Sequence, residues 1–209
     1  MANALEIHLT KKEVDDVFNR RDKKKWEKII GVYTFLLENL ARADAVDVSG
    51  EYQKKFNYFY QVRRNAQWRE DFYALFFRYS KGKNADFADI LKTLHVKTGK
   101  IEASFASKFA ATIDPELPLI DRHVLSHIER KLPSSQWSPA DRMFAIIELH
   151  DAMRKEFAAF LSDTPSGKHL IKRFKAEYPK VKISEMKMLD FVLWQSGGKK
   201  KKNNHHDID

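Results

Sequence analysis

The residues with the clearest chemical potential lie between Ser104 and Val124. Pro118-Leu119-Ile120-Asp121-Arg122-His123-Val124 places an acid directly after a proline-bounded connection and directly before a helical pattern. A carboxylate at a helix N-terminus is kept ionised by the unpaired amides and the helix dipole. It can cap the helix, or it can activate water or stabilise a cationic transition state, and the local residues leave both uses open. Upstream, Ser104-Phe105-Ala106-Ser107-Lys108 reads as a short apolar helix carrying one amine. Neither Ser104 nor Ser107 has an adjacent base, which argues against a serine hydrolase. His123 is given a structural place in the wall of a site, because a lone histidine is more often packed than catalytic. The 8 His residues show no metal spacing, and His205-His206-Asp207 lies in a terminal tail, so no metal and no cofactor is expected.

These groups have to be positioned by helices. Thr10-Lys11-Lys12-Glu13 is a capping box, and Val14, Phe18, Trp26, Ile29, Ile30, Tyr33, Leu36, Leu37 and Leu40 follow at intervals of three and four, as one long helix or two joined near Arg21. Residues 43–50 read as a linker. Tyr52 to Tyr79 is aromatic-rich at helical spacing, with Val62-Arg63-Arg64-Asn65 as a polar break and Ser80 to Asn84 as a turn. Phe87, Ile90, Leu91 and Leu94 mark a further helix that Gly99 ends. Beyond Asp121 the spacing predicts a helix through Val124, Ile128 and Leu132, stopped by Pro133. Ser138-Pro139-Ala140-Asp141 and Thr164-Pro165 open two more, and Ile183 to Trp194 is the last. The expected organisation is an N-terminal helical segment over 1–45, a helical domain over 46–197 and a disordered basic tail over 198–209.

Composition agrees with an all-α class: only 7 Gly and 6 Pro leave little room for tight turns between strands. The 209 residues suffice for one generous domain or two small lobes. Zero Cys excludes a disulfide framework, a thiolate nucleophile, a zinc ribbon and a four-cysteine iron–sulfur site. The net charge of +9 favours a polyanionic partner; without Lys199 to Lys202 it is about +5, a moderate bias. No membrane span and no targeting segment is legible, so a cytoplasmic location is expected.

The order of a polar position opening an apolar helix (Ser104 to Lys108), a gap, and then Ile120-Asp121-Arg122-His123-Val124 resembles the helix-hairpin-helix DNA glycosylase superfamily. The flanking blocks Phe56 to Asn65 and Leu189 to Trp194 are similar to bacterial proteins of that fold, and the resemblance spans roughly residues 52–196. It implies an all-α fold of two helical lobes around a cleft, a double-stranded DNA partner, and Asp121 as the carboxylate that supports glycosidic bond cleavage. Lys108 is the second catalytic candidate. The base would enter a pocket lined by Tyr60, Trp68, Phe105 and His123, while Arg63, Arg64, Lys97, Gly99, Lys100 and Ser104 contact the nucleic acid. Arg63 and Arg64 read about equally well as ion-pair partners of Glu70, Asp71 or another acid.

Two departures bear on the activity. The family hairpin carries two glycines, whereas Thr98-Gly99-Lys100-Ile101-Glu102 offers one. The lysine of lyase-competent members is replaced by Ser104 or Phe105, with Lys108 about one turn later. The expected enzyme is therefore a glycosylase without lyase activity. The alternative is a non-catalytic module on the same fold that binds nucleic acid or a protein partner.

Overall fold

The computed structural model describes residues 5–46, 50–82 and 85–197. Among them the chain is all-α, with no strand. The basic run Lys199 to Lys202 and the pair His205-His206 lie outside the described residues. So do Lys83 and Asn84 of the expected turn.

The amphipathic N-terminal stretch is two helices, α1 (Lys11–Arg20) and α2 (Lys23–Glu38). Thr10 and Glu13 form the reciprocal capping box, and Asp22 starts α2 by accepting from the Lys25 amide at 3.0 Å. Arg21 turns inward at this junction, donating through Nε to the Tyr178 hydroxyl at 2.8 Å and pairing with Glu177 at 2.5 Å. A 3₁₀ turn, Leu40–Arg42, leads into the short α3 (Ala43–Val46), so the segment read as a linker is partly helical.

Helices α4 (Glu51–Tyr60) and α5 (Ala66–Gly82) flank the polar break at 62–65. Gln61 ends α4 in the left-handed region at φ 53°, and the Asn65 side chain accepts from the Trp68 amide at 2.9 Å to begin α5. Helix α5 runs through Ser80 to Gly82, where the sequence predicts a turn. Next come α6 (Phe87–Thr98) and α7 (Ala103–Ile113), joined by a short hairpin in which Gly99 takes φ +70°.

Helix α8 (Arg122–His127) is shorter than its apolar spacing predicts. Glu129 adopts φ 50°, and the Arg130 amide returns to the Leu125 carbonyl at 3.0 Å, so the chain turns before Leu132 despite that periodicity. The last helices are α9 (Pro139–Asp163), α10 (Pro165–Glu177) and α11 (Glu185–Gly197). Gly167 lets α10 cross the end of α9 closely: a Cβ there would lie 2.1 Å from the Phe160 carbonyl oxygen.

The N-terminal segment packs into the core. Helix α1 packs on α10 and α11, and α2 packs on α4 and α7. Phe18, Trp26, Phe174, Tyr178 and Phe191 form one aromatic cluster, with Trp26 stacked on Tyr178 at 6.2 Å. Phe56, Phe72, Phe76 and Phe109 form another, from α4, α5 and α7. Such stacked, tilted and edge-to-face contacts add to the burial of large apolar rings. Both clusters belong to one continuous core, on which α8 and α11 make a close pair.

Candidate functional site

Asp121 is carried by an irregular segment, residues 114–121, between α7 and α8. A buried segment without secondary structure must satisfy its backbone polar groups by other means. Here side chains from three helices and a cap do so. Ser184, at the start of α11, donates to the Pro115 carbonyl at 2.7 Å. The buried His150 of α9 donates from Nε2 to the Pro118 carbonyl at 3.2 Å. The fully buried Ser107 of α7 accepts from the Ile120 amide at 2.9 Å and donates to the Ser104 carbonyl at 3.0 Å. Asp121 itself accepts from the His123 amide at 2.9 Å, and its carbonyl takes the Leu125 amide at 2.8 Å. Its carboxylate is therefore the N-cap of α8, and it is half-buried.

This clamp has measurable consequences. Ser107→Ala orphans the buried Ile120 amide and is expected to cost about 1–3 kcal/mol, read as a lower urea midpoint with unchanged slope. His150 stacks on Phe87 at 3.9 Å, and burial lowers its pKa to about 4. The backbone bond to Pro118 and the nearby Asp151 oppose that shift, while Arg154 adds to it. Because the folded value lies below the unfolded one, the stabilisation is complete above the unfolded pKa of about 6.5 and is lost as pH falls towards 4. Between pH 7.5 and 4.5 the expected loss is about 2–3 kcal/mol. Denaturation of wild type and His150→Gln at both pH values isolates it, since the glutamine amide can still serve the Pro118 carbonyl without titrating.

Asp121 opens onto a cavity of about 600 Å³. Lys108, Tyr60, Arg63 and His123 line the same cavity, so four of the residues singled out from the sequence come together with Asp121. Lys108 Nζ donates to the Tyr60 carbonyl at 3.4 Å and lies 5.3 Å from the centre of the Phe105 ring. Burial pushes its pKa down, opposed by the charge of Asp121. The Tyr60 hydroxyl bonds Thr112 at 2.9 Å, and Thr112 donates to the Lys108 carbonyl at 2.7 Å. His123 packs edge-on to Trp194, 6.3 Å away, while its Nε2 accepts from Arg122 Nε at 3.3 Å.

The remaining expectations fall elsewhere. Trp68 and Phe105 do not line this cavity: they pack on one another at 4.7 Å, and Trp68 stacks on Phe72 at 5.0 Å, because α5 and α7 turn these rings into their shared interface. Arg64 covers that pair and binds both oxygens of the buried Glu102, at 2.9 and 2.7 Å, which is the ion-pair role, with Glu102 rather than Glu70 or Asp71 as the acid. Lys97 is paired with Asp71 at 3.3 Å. At the hairpin the Gly99 amide donates to the His95 carbonyl at 2.8 Å, and the Lys100 amide donates to Thr98 Oγ1 at 3.3 Å. Both amides are spent on closing α6. Ser104 contributes its carbonyl to Ser107.

Several lining residues were not anticipated. Lys25 and Ile29 come from α2, Tyr58 and Phe59 from α4, and Arg122 from α8. From α11 come Phe191, Trp194 and a buried ion pair, Lys187 Nζ to Asp190 Oδ2 at 2.9 Å, with side chains 1% and 3% exposed. Burial lowers the pKa of Lys187, but the Asp190 carboxylate and the phenols of Tyr60 and Tyr33 outweigh it and hold the amine protonated. Burial likewise raises the carboxyl of Asp190, and Lys187 pulls it back. Two opposite charges three residues apart inside the apolar run Met186 to Trp194 are the signal that marks this pair in the sequence.

Among the described residues no group of three His, Asp or Glu is placed to hold a metal ion, and no helix is long and apolar enough to cross a membrane. No family model matches the sequence, and neither a curated protein nor a solved structure matches it.

Proposed function

We propose that this chain is a nucleic-acid N-glycosidase of the helix-hairpin-helix type, with α6 and α7 as the hairpin and the Asp121 cavity as the cleft between two helical parts. The observation that carries the reading is the placement of a clamped, capping carboxylate on a cavity of about 600 Å³, ample for a nucleobase and its sugar. As the glycosidic bond breaks, positive charge develops on the sugar, and a fixed anion stabilises it without reorganising. Asp121 supplies that anion, and the protonated Lys187 lies in the cavity wall beneath. The target nucleotide would have to leave its stack to reach the cavity.

The test is a panel of lesion-containing and undamaged oligonucleotides treated with protein, then with alkali or heat to reveal abasic sites. Release of one base, with strands cut only after alkali, is the expected result. Cutting before alkali would make Lys108 a Schiff-base nucleophile, and release from no substrate would remove the enzymatic reading. The non-catalytic alternative draws on a separate surface. Trp137 and Phe144, 52% and 66% exposed, share a shallow depression with Asp141, Ala145 and Glu148, away from Asp121. Exposed aromatics of this kind mark protein contacts.

A further inference from the structure

The cations near the hairpin and those at the cavity mouth are used differently. On the hairpin side, Arg64 and Lys97 are committed to Glu102 and Asp71, and the Gly99 and Lys100 amides are consumed internally. At the cavity mouth, Lys25, Arg63 and Arg122 are exposed lining residues, and Lys28 lies beside them on α2. Among the described residues none of these four is in an ion pair. Between them stands Tyr58, a lining residue 48% exposed, with Lys28 Nζ 5.3 Å from its ring centre. A large exposed ring held under a cation, beside unpaired cations, has no role in the core.

We infer that this mouth is a track for an unpaired, single-stranded nucleic acid, in which Tyr58 stacks on the base next to the one entering the cavity while Lys25, Lys28 and Arg63 hold its phosphates. An exposed aromatic with flanking cations is the arrangement that binds single strands without reading sequence, because every base has a face to stack and every link a charge. A duplex keeps its bases stacked on one another and offers Tyr58 nothing until a pair opens. At the hairpin, Arg64, Lys97 and the Gly99 and Lys100 amides are already occupied. Helix α2 is therefore part of the binding surface, which gives the N-terminal segment a function besides its share of the core.

This inference rests on the proposed nucleic-acid reading of the Asp121 cavity, but it is tested by binding and not by base release. Fluorescence anisotropy would compare a labelled single-stranded 12-mer with its duplex across a salt series, for wild type, Tyr58→Ala, Tyr58→Phe and Lys25→Ala/Lys28→Ala, each checked for an unchanged melting temperature. The single strand is expected to bind at least about tenfold more tightly than the duplex. Tyr58→Ala should lose about tenfold, the effect of one missing base stack, with Tyr58→Phe close to wild type. The double lysine variant should flatten the salt dependence by about 1.4 in log–log slope, two phosphate contacts on a single strand. Equal or tighter duplex binding that ignores Tyr58 would overturn the inference, and base release from that duplex would leave the glycosidase reading standing. Tyr58-dependent single-strand binding with no base released would do the reverse.

Discussion

Replacing Lys187 by methionine is expected to destabilise the protein by about 3–5 kcal/mol, because it leaves the carboxylate of Asp190 enclosed without a counter-charge. The pair is almost wholly out of solvent, and Asp190 Oδ1 and the Tyr33 hydroxyl already lack hydrogen-bond partners. Without the ammonium, Asp190 keeps the Leu119 backbone bond but no counter-charge on its own helix turn. The variant should also acquire a distinctive pH dependence. With Lys187 gone, burial, helped by the charge of Asp121 and opposed only by the Leu119 backbone bond, holds the folded pKa of Asp190 above its unfolded one. Stability is then greatest at low pH and is lost as pH rises through the folded value. Urea denaturation at pH 5 and pH 8 reads both effects, and Lys187→Met/Asp190→Leu is the decisive control. Removing both charges should recover most of the loss, since apolar replacement of a buried pair is often neutral. A Lys187→Met protein as stable as wild type at pH 8 would mean that the pair contributes no electrostatic stabilisation.

Asp121→Asn is expected to lower the rate of base release by a factor of about 10²–10³, the usual effect of removing one preorganised electrostatic group, while leaving the fold intact. Asparagine caps helices about as well as aspartate, and its side-chain oxygen can still accept from the His123 amide. Only the charge is lost. Melting temperature and affinity for an abasic oligonucleotide should therefore stay near wild type as the single-turnover rate collapses. Asp121→Ala, in contrast, should also lose about 1 kcal/mol of cap stability. If Asn and wild type released base at the same rate, Asp121 would be a cap and nothing more. If Asn melted earlier, the charge would belong to the fold.

The sequence is most informative where the physics is local. The capping box at Thr10, the prolines at 139 and 165 and the Asp121 cap each depend on groups within a few residues, and each forms where the spacing places it. Even locally the pattern can mislead, since the periodicity that carries α8 on to Leu132 gives way at the positive φ of Glu129. The sequence is least informative where a distant group decides. Arg64 could be read as a nucleic-acid contact until Glu102, 38 residues away, is seen to take its guanidinium. Trp68 and Phe105 carry the same aromatic signal as Tyr58, but α5 and α7 close on the first two while α4 leaves Tyr58 open.

By itself, then, the sequence determined that the chain is all-α, where most helices begin, and that Asp121 stands at the head of one of them. Those outcomes follow from backbone hydrogen bonding and side-chain periodicity over one or two turns. Only the tertiary structure decided that Asp121 faces a cavity, that α2 supplies part of its wall, and that Lys187 and Asp190 neutralise each other there. A cavity is the space between helices that meet from opposite ends of the chain. Its lining depends on how α2, α4, α7, α8 and α11 pack, and packing compares all long-range contacts at once rather than any local pattern of residues.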